Sequence, residues 1–198
     1  MHERGRIVAA ALIFAAAASC VARAEDDGLP PATEETTGEV KPPMPDTDLF
    51  ALISGKCSAL KVAGRDFACS SVAYVHSVHG RVYFTVALDD PGDQNHIISF
   101  SGENGRRVTE LFYQLPVDQM LLNSKNRPKV DGLPVPLVEP SAGSCTQLGN
   151  FAAGQVSSIA CKASDKNGQT YELQFESDGS PITVRRVRPS APTIRQRS

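Results

Sequence analysis

The chain has no tryptophan, and only 4 Tyr and 8 Phe among 198 residues. It also lacks a marked excess of charge: 20 basic and 22 acidic side chains leave a formal −2. That balance excludes a strongly basic nucleic-acid binder. No apolar run approaches the ~20 residues needed to cross a bilayer as a helix. HExxH, GxSxG, GxxxxGK(S/T) and GxGxxG are all missing, and so is any Asn-x-Ser/Thr acceptor. No catalytic residue, cofactor or metal is therefore implied. The content of 41% hydrophobic and 21% charged residues excludes a collagen-like, coiled-coil or wholly disordered chain. The length suits one domain or two small related ones.

The first 24 residues have the order of a secretory signal peptide. A short basic start (His2, Arg4, Arg6) precedes the uncharged run Ile7 to Ala18, and small residues follow at Ala22 and Ala24. Cleavage after Ala24 is expected to place the protein in the periplasm or outside the cell. A rival reading is a lipid anchor at Cys20, since Ala17-Ala18-Ser19-Cys20 resembles a lipoprotein box. Ala17 departs from it, because a larger aliphatic residue usually stands there. Removing residues 1–24 takes away Arg4, Arg6, Arg23 and Glu3, so the formal charge moves from −2 to −4. It also takes away Cys20 and leaves four cysteines of the original 5. An even number in an exported chain reads as two disulfides.

Residues 25–45 are rich in proline and acid and read as a disordered tether. Residues 189–198, with Arg195 and Arg197, read as a disordered tail, and Arg185, Arg186 and Arg188 precede it. Such an arginine run fits an acidic partner, a phosphate-rich surface or the chain's own acidic tether. Between these ends the expectation is mainly β: two small disulfide-stapled antiparallel units over 46–125 and 143–188, joined by a proline-rich linker over 126–142. A short N-terminal helix capped by Asp46-Thr47-Asp48 and ending at Gly55 is expected to lead in.

Two hairpins are the clearest local features. His79-Gly80 as a two-residue turn sets Val75 opposite Phe84 and Ala73 opposite Val86. The other face then carries Tyr74, His76, Arg81 and Tyr83, a candidate surface for contact with protein or saccharide. The competing reading of that stripe is burial against a third strand or against the other unit. Asn167-Gly168 reads as a type I′ turn and Asp178-Gly179 as another. They bound a strand with Tyr171, Leu173 and Phe175 on one face, and place Leu173 opposite Val184 and Glu172 opposite Arg185. Val108–Leu115 fits helix or strand, with strand preferred.

The two units resemble each other. Cys57 and Cys145 both lie 23 residues before a turn glycine, Gly80 or Gly168, and a tyrosine follows each glycine by three. This suggests an internal duplication, with local bonds Cys57–Cys69 and Cys145–Cys161. Four cysteines permit three connectivities, and bonding across the units is the main rival.

His76, His79 and His96 do not share a face and make a poor zinc set. Asp89, Asp90, Asp93 and Asn95 crowd one loop without EF-hand spacing, so a solvated turn is expected rather than a calcium site. The leading expectation is a non-enzymatic exported module that binds an envelope or extracellular protein or saccharide. One alternative is a hydrolase assembled from His76 or His96 with Asp89, Asp90 or Asp93. The other is a secreted enzyme inhibitor that presents loop 89–95 or 149–156.

Overall fold

The computed structural model describes residues 47–188. The expected signal peptide with Ala22 and Ala24, its rival lipoprotein box at Cys20, the expected 25–45 tether and the expected 189–198 tail lie outside the described residues. The fold is mainly β, with antiparallel pairing throughout and no α-helix among the described residues.

The strands are β1 (Asp48–Val62), β2 (Arg65–Asp66), β3 (Ser71–His76), β4 (Val82–Ala87), β5 (Ile97–Gly102), β6 (Arg106–Thr109) and β7 (Phe112–Asn123). They continue with β8 (Lys129–Val130), β9 (Leu133–Pro134), β10 (Leu137–Asn150), β11 (Gln155–Asp165), β12 (Thr170–Ser177) and β13 (Thr183–Val187). Eight of them form a ring in chain order, β1-β3-β4-β5-β7-β10-β11-β12, and β12 returns to β1. The result is an up-and-down β-barrel, in which closure removes the exposed edges of an open sheet. The two stapled stretches thus share one sheet, joined through the β1–β12 and β7–β10 ladders.

Alternation places the apolar set inside. Val72 and Tyr74 on β3, Val82, Phe84 and Val86 on β4, and Tyr171, Leu173 and Phe175 on β12 are all buried in one core. Charged side chains such as Lys56, Lys61, Lys162 and Glu176 occupy the outer wall. This polarity is the reverse of a lipid-spanning barrel, whose outer band is apolar. The disulfides are Cys57–Cys69 and Cys145–Cys161, the local pairing. Each restrains the unfolded chain by roughly 3 kcal/mol.

Several expectations need correction. Residues 48–55 belong to β1 and form no helix. A helix there would have been only two turns long and would have left β3 and β13 without the strand between them. Asp48 caps no helix; its carboxylate accepts the Val78 amide of the β3–β4 turn at 2.8 Å.

The β3–β4 register differs by one residue from the expected one. Tyr74 faces Phe84 and Val75 faces Tyr83. Type I′ geometry needs a positive φ at both turn residues, and here only Gly80 has one, at 84°. The loop is instead Val78-His79-Gly80: the Gly80 amide donates to the Ser77 carbonyl at 2.9 Å and the Ser77 amide to the Arg81 carbonyl at 2.9 Å. A slip of one residue turns β3 over relative to β4, so Tyr74 joins Phe84 inside while Val82, Phe84 and Val86 keep the inward face expected of them. The Asn167-Gly168 turn departs from type I′ in the same way. Positive φ falls on Gly168 alone, and Asp165 pairs with Gln169 across three residues.

Asp178-Gly179 makes no hairpin. β13 pairs with β1, not β12, so Leu173 does not meet Val184 and Glu172 does not meet Arg185. The Asp178 amide donates to the Ser54 carbonyl at 3.1 Å, and Asp178 Oδ1 accepts the Ser180 amide at 2.8 Å. Pro181 has no amide to give a ladder. The chain therefore steps out and rejoins the same line along β1, covering the edge of Asp48–Leu52.

Residues 106–123 form strands, as preferred, with β6 and β7 divided at Glu110-Leu111. The 126–142 stretch carries the small β8–β9 hairpin and the start of β10.

The resemblance between the two units holds at their turns. Arg81 donates its amide to Ser77 Oγ, and Gln169 donates its amide to Asp165 Oδ1, each closing a three-residue loop that ends in a positive-φ glycine. It fails at the faces. Tyr171 is buried in the core, whereas Tyr83 lies between the inward Val82 and Phe84 and so faces the outer wall.

Candidate binding site

The corrected register divides the expected surface of Tyr74, His76, Arg81 and Tyr83. Tyr74 and His76 point into the barrel, and Arg81 and Tyr83 point out. Tyr74 is 6% exposed. Its ring packs on Phe84 at 5.5 Å and on Phe151 at 4.3 Å, and its side chain hydrogen-bonds Tyr113. Burial pushes the Tyr74 and Tyr113 hydroxyls above the ordinary phenol range, so both are neutral at physiological pH. His76 lies further toward the same end, and burial lowers its pKa below the ordinary 6.5. Arg81 joins Asp118 at 2.7 Å and Glu103 at 2.9 Å on the outer wall. Burial inside the barrel, the competing reading, accounts for Tyr74 and His76.

Phe151 begins a single 3₁₀ turn, Phe151–Ala153, between β10 and β11. That turn folds its ring over Tyr74 and closes this end of the core. Beside it the wall is incomplete. β11 starts at Gln155, but its ladder with β12 begins only at Ser158, opposite Glu176. Beyond Ser177 the chain steps away through 178–182, and β13 pairs only with β1 among the described residues. A notch of about 520 Å³ is left, lined by Leu111, Leu148, Val156 and Ile182 with Gln155 and small glycine and serine residues between them. No charged or aromatic side chain lines it. Gly149 is fixed there by chemistry: its φ is 108°, and a Cβ would overlap the Gln155 carbonyl. The exposed edge of β13 runs alongside, carrying Val184, Arg185, Arg186 and Val187.

The other end of the barrel is wired by polar contacts. Asp90 Oδ2 lies 2.9 Å from His96 Nδ1, and Asp90 Oδ1 accepts the Gly92 amide at 2.9 Å. These bonds, the His96 one foremost, hold the Asp90 carboxyl below the usual range. Asp93 accepts the amides of Asn95 and Lys125, and Lys125 Nζ reaches the Gly92 carbonyl at 2.6 Å. The Asp90 and Asp93 carboxylates are turned onto His96 and backbone amides rather than onto a shared cation position. No group of three metal-binding side chains occurs among the described residues. His96 meets Asp90 here, while His76 sits at the opposite end, so the geometry does not bring His76 to the 89–93 carboxylates.

No family model, curated protein or solved structure matches the chain.

An aliphatic notch beside an arginine-bearing strand whose outer edge has no partner among the described residues offers two things at once: main-chain groups for an added strand, and a seat for an apolar side chain. Sequence reasoning named the 149–156 loop that forms one wall, but missed Leu111, Leu148 and Ile182. The interrupted strand after Ser177 is what unites them, and Pro181 was the residue that signalled the interruption.

Proposed function

We propose that the protein is an exported, non-enzymatic binding module that captures an extended, acidic segment of a protein partner. Its location is the periplasm or the cell exterior. The two disulfides support this, because such bonds persist in oxidising compartments. No helix among the described residues is long and apolar enough to cross a membrane. The partner segment adds as a strand along β13 and sets one aliphatic side chain in the notch. Arg185, Arg186 and Arg188 flank that path and favour an acidic peptide. A saccharide is the poorer ligand, since the notch offers neither an aromatic platform nor charged hydrogen-bonding side chains. The observation that carries the reading is the notch of about 520 Å³ beside a strand whose outer edge pairs with nothing described.

The test is selection of displayed peptides on the full chain, with Leu148→Arg as the counter-target. Leu148 is 48% exposed, so arginine fills the notch without entering the core. Expected are peptides with an aliphatic residue flanked by Asp or Glu, whose binding perturbs the amides of 148–157 and 182–187. Equal recovery on both proteins, or perturbations confined elsewhere, refutes the proposal.

A further inference from the structure

The 124–136 stretch carries a feature that peptide capture leaves unused. Among the described residues β8 and β9 pair only with each other, through Lys129 with Pro134 and Val130 with Leu133. The turn between them is Asp131-Gly132, with φ values of 50° and 81°, the type I′ geometry of a tight hairpin. Below it the Val135 amide donates to the Pro128 carbonyl at 2.8 Å. Period-two alternation then puts Pro128, Val130, Leu133 and Val135 on one face, with Lys129 and Pro134 on the other. The aliphatic members of the first face are open: Val130 is 61%, Leu133 73% and Val135 41% exposed.

An isolated two-stranded hairpin is marginally stable in water, and one showing its apolar face is more costly still. Cations collar this one. Within residues 124–136, Lys125, Arg127 and Lys129 outnumber the one acid Asp131, and the neighbouring Asp93 carboxylate is occupied by the Lys125 amide at 3.0 Å, on a chain whose overall charge is negative. Arg127 is braced by its Nε bond to the Val135 carbonyl at 3.1 Å.

We infer that this hairpin is a membrane-docking arm that inserts its aliphatic tip into an anionic lipid surface while its cations meet the headgroups. The shape decides between lipid and protein. A few aliphatic side chains on strands of two residues cannot cover a standard protein interface of ~1,600 Å². Interfacial binding to lipid needs only a small apolar insertion supported by basic residues. The arm also lies at the end of the barrel opposite the notch, so a docked molecule would hold its peptide site away from the bilayer.

The experiment is co-sedimentation of the full chain, as recovered from its host, with vesicles of phosphatidylcholine alone or mixed equally with phosphatidylglycerol. Binding is expected only with the anionic lipid and is expected to weaken in high salt. Leu133→Asp should weaken it by more than roughly tenfold through loss of the apolar insertion. Lys129→Ala should weaken it by roughly fivefold. Both residues are exposed, and unchanged circular dichroism would show that the variants fold. Equal binding of wild type and Leu133→Asp overturns the inference, as does binding independent of lipid charge. If the wild type is a dimer that Leu133→Asp dissociates, the face is covered by a second copy and the membrane assignment falls. None of these outcomes depends on peptide capture at the notch, which Leu148→Arg tests separately.

Discussion

The two ends of the barrel are closed by different physics. At the notch end, the ring of Phe151 stacks on Tyr74 and aliphatic side chains surround a gap in the wall. At the arm end, the 88–96 loop is tied by directed bonds: Asp90 to His96, and Asp93 to the Lys125 amide. Apolar closure is non-directional and leaves a surface that other apolar groups can join. Directed bonds saturate their donors and acceptors and leave little to offer. The notch opens where the lining is mainly aliphatic and the β11–β12 ladder stops short. The comparison also forecasts that the two ends respond unequally to mutation, to acid and to added charge.

The largest inequality should come from the aromatic plug. Tyr74→Ala removes a buried ring that touches Phe84, Tyr113 and Phe151. A loss of about 3–5 kcal/mol in urea unfolding is expected, as for other large-to-small core changes. His96→Ala at the arm end should cost clearly less, since its ring meets Phe67 at the rim rather than in the core. Comparable losses at both ends would remove the distinction.

Breaking the staples sharpens the same contrast. Cys145 and Cys161 are directly opposite on β10 and β11 and wholly inside, whereas Cys57 is only partly buried. Replacing either pair by alanine removes roughly 3 kcal/mol of restraint on the unfolded chain. The inner pair should cost more, because it also empties core volume. Thermal unfolding of the two double variants under identical conditions ranks them.

How much of this was legible in the residues depends on how local the governing interaction is. The strand Tyr171, Leu173, Phe175 was readable because alternation alone decides its face. Both disulfides were readable from spacing and even count. The β3–β4 register was not, because His79-Gly80 reads equally as a two-residue turn, which needs a positive φ at His79, and as the end of the actual three-residue loop, in which Gly80 alone has one. That choice is fixed by Ser77 accepting the Arg81 amide and by Asp48, distant in sequence, accepting the Val78 amide. The destination of β13 was hidden for a similar reason: β1 is long enough to pair with β12 and β13 in succession, a fact about the other side of the barrel. The Asp131-Gly132 hairpin was hidden by the surrounding prolines, which read as a linker; Pro134 stands on a strand whose outer edge has no partner among the described residues. Of the site, only the 149–156 loop and the β13 arginines had a signal; the notch is a gap, and a gap has no residues of its own.

A smaller effect concerns charge at the notch end. Burial holds the His76 pKa below 6.5, so the folded protein resists protonation there and binds fewer protons than the unfolded chain. Stability is then full above pH 6.5 and falls as the pH drops through the folded value. His76→Gln, neutral at every pH, should flatten that part of the stability profile.

The smallest effect is at the arm end and lies in a different pH window. Asp90 has its folded pKa held below 3.8 by the hydrogen bond to His96, then by the Gly92 amide. Its contribution is present above pH 3.8 and is lost only as the pH falls through the lower folded value. His96→Ala removes the leading cause and leaves the Gly92 bond. The Asp90 carboxyl, followed by carbon-detected NMR, should move up toward its ordinary value without reaching it. An acid limb moved by His96→Ala and a near-neutral limb moved by His76→Gln would separate the two ends by titration alone. If either variant moved the other's limb, the ends would be coupled through the core, and the notch could not be treated as an independently held surface.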